Sequence, residues 1–564
     1  MNKTLVLLLA SLVLAACAQT EPPVAATAPV ATWDDFVSSY IEETLVARPS
    51  FAVVQGRHEF DGLLPDYSRA GIEAEVSRLE AARAEALAFT GLTPEQAFQR
   101  EYVVSRLDHD LFWMRDSGKP YTNPTFYTDW LMGGIDPSVY LVREYAPLAE
   151  RMAAYTRFAE GIPEVAGHIR ANMRLPMAKP LAEIGALVYG GFGTFFANDV
   201  PGIFESVADE RFAAANTAAA AAMTELGAWF ASEAERGTDA FALGPELFQQ
   251  MLYMTERVET PIAELKAKGE ADMARNFQML ADACQEFAPG ARLPDCIAKM
   301  QANKPEGGSV EAARRQLVEL RAFVEAKDLV SIPGTEEALV AESPPYARWN
   351  FAYIDIPGPF EEGMPSVYNI APPDPSWSEA DQLAYIPGEA NLLFVSAHEV
   401  WPGHFLNFLH ANRSDDLFGR VFVGYAFAEG WAHYTEEMMW DAGLRDGDPE
   451  AHIGQLSNAL LRNARYLCAI GLHTGGMTMD ECETLFRERA LQDPGTARQQ
   501  AARGTFDPAY LNYTMGKLLI RDLRDDWTAS RGGREAWKAF HDEFLSYGGP
   551  PIPLVREQMM ESAD

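Results

Sequence analysis

A chain of 564 residues that is 48% hydrophobic is long enough to bury a large core, and its 46 basic and 81 acidic side chains leave a formal charge of −35. That charge sets nucleic acid aside as a partner, because holding phosphates requires a basic surface that releases counterions. Beyond solubility it says nothing about function.

Met1-Asn2-Lys3 precedes an apolar run from Leu5 to Leu14, which reads as a secretion signal over residues 1–17. The run is far shorter than the ~20 apolar residues a membrane span needs. Leu14-Ala15-Ala16-Cys17 looks like a bacterial lipobox, so Cys17 is expected to be lipidated and to anchor the mature chain at a periplasm-facing membrane, with the outer membrane favoured. An ordinary signal peptide with an incidental cysteine is the alternative. Residues 18–31, rich in Ala, Pro and Thr, then form a flexible tether.

From residue 32 the chain reads as mainly α, in one compact body with an N-terminal helical region over 32–345 and a second helical region over 346–564. Helical spacing of apolar residues predicts helices over Ile72–Phe89, Phe212–Phe230 and Ala312–Val324. Gly118-Lys119-Pro120, Pro289-Gly290 and Pro333-Gly334 read as connections between helices. Tyr189-Gly190-Gly191-Phe192-Gly193 lacks the Lys-Ser/Thr of a phosphate loop and reads as a turn or a close packing contact. Cys284 with Cys296, and Cys468 with Cys482, are near in sequence; two local disulfides and buried free thiols are both open. Tyr346–Ile356 and Met364–Ile370 alternate like strands, predicting a small sheet beside the helix that follows. Met364–Asn369 is a candidate edge strand for an extended peptide, or an ordinary strand.

The segment from Asn391 to Phe405 is an apolar helical run that delivers His398, Glu399 and His404. It resembles the zincin arrangement, but the histidines are six apart rather than four. At about 100° per residue six positions carry a side chain ~120° round the helix, so an unbroken helix could not aim both at one ion. Pro402 breaks the register, because it has no N–H to donate and its ring meets the carbonyl of His398, while Gly403 absorbs the kink. A second apolar helix, Tyr425 to Glu437, carries Glu429, His433 and Glu436 on one face. Glu429, bracketed by Phe427 and Trp431, completes a two-His, one-Glu metal site with an open fourth position.

Together with Arg48–Ala52, Leu64–Ser68, Gly471–Thr474, Tyr513–Lys517 and Tyr547–Pro553, these motifs resemble the bacterial DUF885 family over most of the chain. That family is similar to gluzincin peptidases of the thimet-oligopeptidase and carboxypeptidase-Taq type. Phe405 and Asn407 depart from it, standing where His and Gln are frequent. The resemblance implies a large helical zincin-like fold with a deep cleft, zinc on His398, His404 and Glu429, and short peptides as substrate. Glu399 would act as general base, with Tyr513 as first candidate to stabilise the oxyanion and Tyr510 and His473 behind it. Two alternatives stand beside this: a non-catalytic envelope lipoprotein that binds or scaffolds, and a metallohydrolase of non-peptide amides or esters. Nothing in the sequence fixes the oligomeric state.

Overall fold

The computed structural model describes residues 32–129, 133–343, 348, 351–361 and 363–561. The expected signal, the lipidated Cys17 and the tether over 18–31 lie outside those residues, as does part of Tyr346–Ile356. The chain is mainly helical. Its longer helices are α1 (Trp33–Ala47), α2 (Arg69–Ala88), α3 (Pro94–Leu111), α4 (Leu148–Asn172), α5 (Lys179–Asn198), α6 (Glu210–Ala234), α7 (Pro245–Glu256), α8 (Ile262–Phe287), α9 (Leu293–Ala302) and α10 (Ser309–Lys327). After the sheet come α11 (Glu389–Glu399), α12 (His404–Ala411), α13 (Tyr425–Asp441), α14 (Pro449–Thr474), α15 (Met479–Glu488), α16 (Pro494–Phe506), α17 (Asn512–Ala529), α18 (Trp537–Ser546) and α19 (Ile552–Glu561). The three helices read from apolar spacing are α2, which starts earlier and closes one residue short of Phe89, and α6 and α10, which extend a few residues further at both ends. No helix among the described residues is long and apolar enough to cross a membrane.

Two apolar cores form. One gathers side chains from Trp33 to Phe230 and takes in Phe418, Val421 and Phe422; the other runs from Phe248 to Met559 and takes in Phe112 and Trp113. The apolar division therefore falls between Phe230 and Phe248, well before residue 345. The glycine-rich stretch Tyr189–Gly193 is a packing contact inside α5 rather than a turn. A Cβ on Gly193 would stand 2.3 Å from Thr224 Oγ1 of α6, so only glycine lets the two helices close. Both disulfides form: Cys284–Cys296 joins α8 to α9, and Cys468–Cys482 joins α14 to α15.

The sheet has three strands, β1 (Leu339–Glu342), β2 (Ala352–Asp355) and β3 (Val367–Ile370), in the order β1-β3-β2. β1 was not legible, its four residues showing too little alternation. β3 pairs parallel with β1 and antiparallel with β2. This corrects the edge-strand expectation for Met364–Asn369: its strand is central, and β2 is the edge nearer the histidine helix. The sheet lies against α11 through Tyr368, whose hydroxyl is 3.5 Å from Ser396 Oγ.

Candidate metal centre

The sequence places a break between the two histidines, and the structure shows its form. α11 closes at Glu399, Val400 leaves helical geometry with φ −123° and ψ −76°, and a new helix opens at His404. Instead of one helix kinked at Pro402, the chain makes two helices joined by Trp401-Pro402-Gly403. Gly403 N donates to Ala397 O at 2.9 Å, and a Cβ on Gly403 would sit 1.7 Å from the His398 carbonyl oxygen. Any other residue would push the link open. The link is pinned from α13 as well, because the indole of Trp431 donates to Pro402 O at 2.9 Å. Trp431 thus ties the helix bearing Glu429 to the turn that aims His404.

The result is a cluster. Donor atoms of His398, His404 and Glu429 all lie within 4.8 Å of one another. Glu429 Oε2 stands 3.3 Å from Nε2 of His398 and 3.3 Å from Nε2 of His404. Yet this buried oxygen has hydrogen-bond geometry to neither ring. An unsatisfied carboxylate oxygen of this kind is costly without a cation. Tetrahedral zinc with ligands at ~2.0–2.1 Å sets its donors about 3.3 Å apart, so the residues present fit that ion. Burial opposes the charge on Glu429, but His404 and His398 outweigh it and hold the carboxyl well below its usual range.

Around the cluster lies a supporting layer. Glu436, two turns on from Glu429, accepts from His398 Nδ1 at 2.8 Å and is clasped by Arg462 at 3.1 Å. Burial works against the Glu436 charge, yet Arg462 and the histidine keep it ionised far below the ordinary carboxylate range. An ionised Glu436 calls for the proton on Nδ1, so Nε2 is the ring nitrogen aimed at Glu429. His433 also faces Glu436, at 3.6 Å, but burial pushes it down to about 3 and holds it neutral. The sequence had placed Glu436 on the correct helix face without a role. Arg462 was missed, although Arg462 and Arg465, three apart in the run Leu460–Leu467 whose only other strongly polar side chain is Asn463, were its signal.

Glu399 ends α11 beside this cluster. Burial raises its carboxyl, His404 draws it down, Glu429 pushes it up, and the net value is about 7. The backbone of Ile354 in β2 also draws it down, so the sheet's edge strand touches this carboxylate.

Of the three further candidates only Tyr513 joins the cluster. Its ring stacks on His398 at 6.3 Å because α13 and α17 cross at glycine: a Cβ on Gly430 would lie 2.5 Å from Gly516 Cα. That contact brings the start of α17 against Glu429. Burial and the Glu429 charge raise the Tyr513 hydroxyl above its usual value, partly offset by Arg503, Arg465 and Arg462. His473 is a correction. Its Nε2 meets Gly504 O at 2.7 Å and its Nδ1 accepts from Leu243 N at 3.3 Å, so both ring nitrogens are spent joining α14 to α16 and to the connection before α7. Tyr510 is also set aside: its hydroxyl is buried over Gly504 with no hydrogen-bond partner.

Two open surface recesses, one lined by Lys327, Arg534 and Lys538 and the other by Lys268, Arg275 and Arg521, lie away from the cluster and contain none of its residues.

The family model described as bacterial protein of unknown function (DUF885) matches residues 49–559. Among solved structures, a candidate lipoprotein of unknown function from Shewanella oneidensis superposes with a TM-score of 0.78 at 24% identity, over 94% of this chain and 100% of that one. A candidate lipoprotein from Colwellia psychrerythraea superposes with a TM-score of 0.76 at 15% identity, over 94% and 99%. At these identities the likeness is one of fold. No curated protein matches the sequence.

Proposed function

The chain belongs to the bacterial DUF885 family, and for it we propose zinc-dependent hydrolysis of short peptides at the envelope, with Cys17 as the lipid anchor and His398, His404 and Glu429 as ligands in a zincin-like cleft. The observation that carries this is the orphaned Glu429 oxygen 3.3 Å from two histidine nitrogens, with Glu399 beside it. Zinc, when bound, supplies Lewis acidity that polarises a carbonyl and acidifies water.

The remaining steps belong to side chains. Glu399, balanced near 7, takes a proton from water at neutral pH and passes it to the departing amine; a base of matched pKa contributes ~10²–10⁴-fold. Tyr513, whose hydroxyl makes no hydrogen bond among the described residues, donates to the developing oxyanion. Glu436 and Arg462 fix the tautomer and orientation of His398. The outer edge of β2, next to Glu399, offers backbone groups to an extended substrate.

The test is elemental analysis of the purified chain lacking its signal, beside His398→Ala and Glu429→Ala, with hydrolysis of a mixed peptide library. About one zinc per chain, lost in both variants, together with cleavage of peptides is the expected result. If the wild-type chain takes up no metal from zinc-replete buffer, metal-dependent hydrolysis is not its function and a binding or scaffolding role takes its place. Cleavage of simple esters or amides with peptides untouched would shift the substrate class alone.

A further inference from the structure

Three arginines converge beside the cluster. The guanidinium carbons of Arg465, Arg462 and Arg503 lie 4.9, 5.8 and 5.9 Å from the centre of the Tyr513 ring, the ring that stacks on His398. Arg462 is committed to Glu436. Arg503 is committed to Asp507 at 2.8 Å and to the Tyr425 hydroxyl at 3.1 Å. Arg465 has no acid: its Nε donates to the neutral amide of Gln500 at 2.8 Å, and its two Nη nitrogens make no hydrogen bond among the described residues. A half-buried guanidinium with its fork unused, beside two other cations, is a poor arrangement for stability alone. The cations around the buried Asp272 contrast with it, since Lys517, Arg275 and Arg521 all contact Asp272 and Glu437.

We propose that Arg465, flanked by Arg462 and Arg503, is the seat for the free α-carboxylate of a short peptide whose scissile bond lies over His398, His404 and Glu429. This rests on the peptidase reading above and names its substrate class: peptides that end close to the cut. A carboxylate matches the guanidinium fork in two parallel hydrogen bonds. One tyrosine ring separates Arg465 from His398, and extended chain advances about 3.3–3.6 Å per residue, so the leaving fragment is one to three residues long. Desolvation and then the positive charge of Arg503 push the Arg465 guanidinium down from the usual arginine value, a tension that an incoming anion relieves. On a chain of formal charge −35, long-range attraction cannot recruit an anionic substrate, and beyond about 8–10 Å charge is screened in any case. Recognition must therefore come from donors at contact.

The experiment is calorimetry on the zinc-loaded Glu399→Gln chain, which measures binding without turnover. One tetrapeptide is presented as the free acid, as its C-terminal amide, and as an acid with an added glutamate side chain. The free acid is expected to bind about 10- to 100-fold more tightly than the amide, the worth of hydrogen bonds to a charged group. Adding Arg465→Met should bring acid and amide to the same affinity while leaving the amide unchanged. Arg465→Lys, which keeps the charge and loses the fork, should retain part of the preference and guards against a misfolded methionine variant. Equal affinities in the parent, no binding of either peptide, a preference set by the glutamate side chain instead, or a methionine variant that weakens both peptides alike would each overturn the proposal. Hydrolysis by the chain with Glu399 intact separates the two ideas. Cleavage without acid preference leaves the peptidase standing and removes the seat; an Arg465-dependent preference without cleavage does the reverse.

Discussion

Helix α13 carries two buried charged clusters on neighbouring faces, and they are built in opposite ways. On one face Glu437 joins Asp272, and this pair of acids is closed by Lys517, Arg275 and Arg521 at 2.7–3.3 Å, with Asn463 donating to Asp272 at 2.9 Å. Every charge there is answered by another within the fold. On the other face Glu429 has only the imidazoles of His398 and His404 to answer it, and one of its oxygens has no hydrogen bond among the described residues. The first cluster is complete without a guest; the second leaves a buried carboxylate oxygen that the proposed cation would satisfy. Burial of an acid is therefore no guide to function until its partners are known: cations signal a structural network, and histidines with a free nitrogen signal a binding site.

That contrast can be broken in order of expected effect. Glu399→Gln should lower kcat by ~10²–10⁴-fold while zinc content by elemental analysis stays at the wild-type level; loss of zinc with activity would make Glu399 a ligand rather than a base. Lys517→Met leaves Asp272 and Glu437 short of a cation in a fully buried place, and should cost about 3–5 kcal/mol in chemical denaturation with no change in zinc per folded chain. A variant that folds normally but loses zinc would show that the two clusters are one. Glu436→Gln removes the charge behind His398 and should weaken zinc about 10- to 100-fold in a competition titration; unchanged affinity would reduce Glu436 to packing.

The smallest effect concerns an acid outside both clusters. Glu256 sits at the end of α7, accepting from Ala426 N at the start of α13 and from Asn512 Nδ2 at 2.8 Å. Burial raises its carboxyl to about 8, so the folded chain holds a proton that the unfolded chain releases near 4.5. Its stability contribution is full below about pH 4.5, falls as pH rises, and is gone above about pH 8. Glu256→Gln should remove that slope, gaining about 2 kcal/mol on wild type between pH 6 and 7.5 at 1.36 kcal/mol per unit. Parallel curves for the two chains would mean that Glu256 is already ionised in the fold.

Much of the centre is local chemistry and so was legible. Pro402 and Gly403 act on the backbone within six residues, which is why the helix break between His398 and His404 could be read from spacing. Glu429 was legible because an acid among Phe427, Gly430 and Trp431 needs a partner. Tyr513 was placed ahead of Tyr510 and His473 by resemblance alone, since each stands in a similar helical setting, and the chain crossing at Gly430 and Gly516 is what brings it to the cluster. Arg465 escaped for a related reason: an arginine in an apolar helix is ordinary when an acid faces it, and whether one does is a long-range fact.

The sequence by itself determined the helical character, the break between His398 and His404 and the residue types that gather at the candidate centre, because periodicity, proline and glycine act over a few residues. Tertiary structure alone decided that β3 is central rather than at an edge, that the apolar cores divide between Phe230 and Phe248, and that Arg465 stands beside Tyr513 with no acid partner among the described residues. These depend on contacts between segments far apart in the chain, whose energies belong to the packed molecule and leave no mark on local spacing.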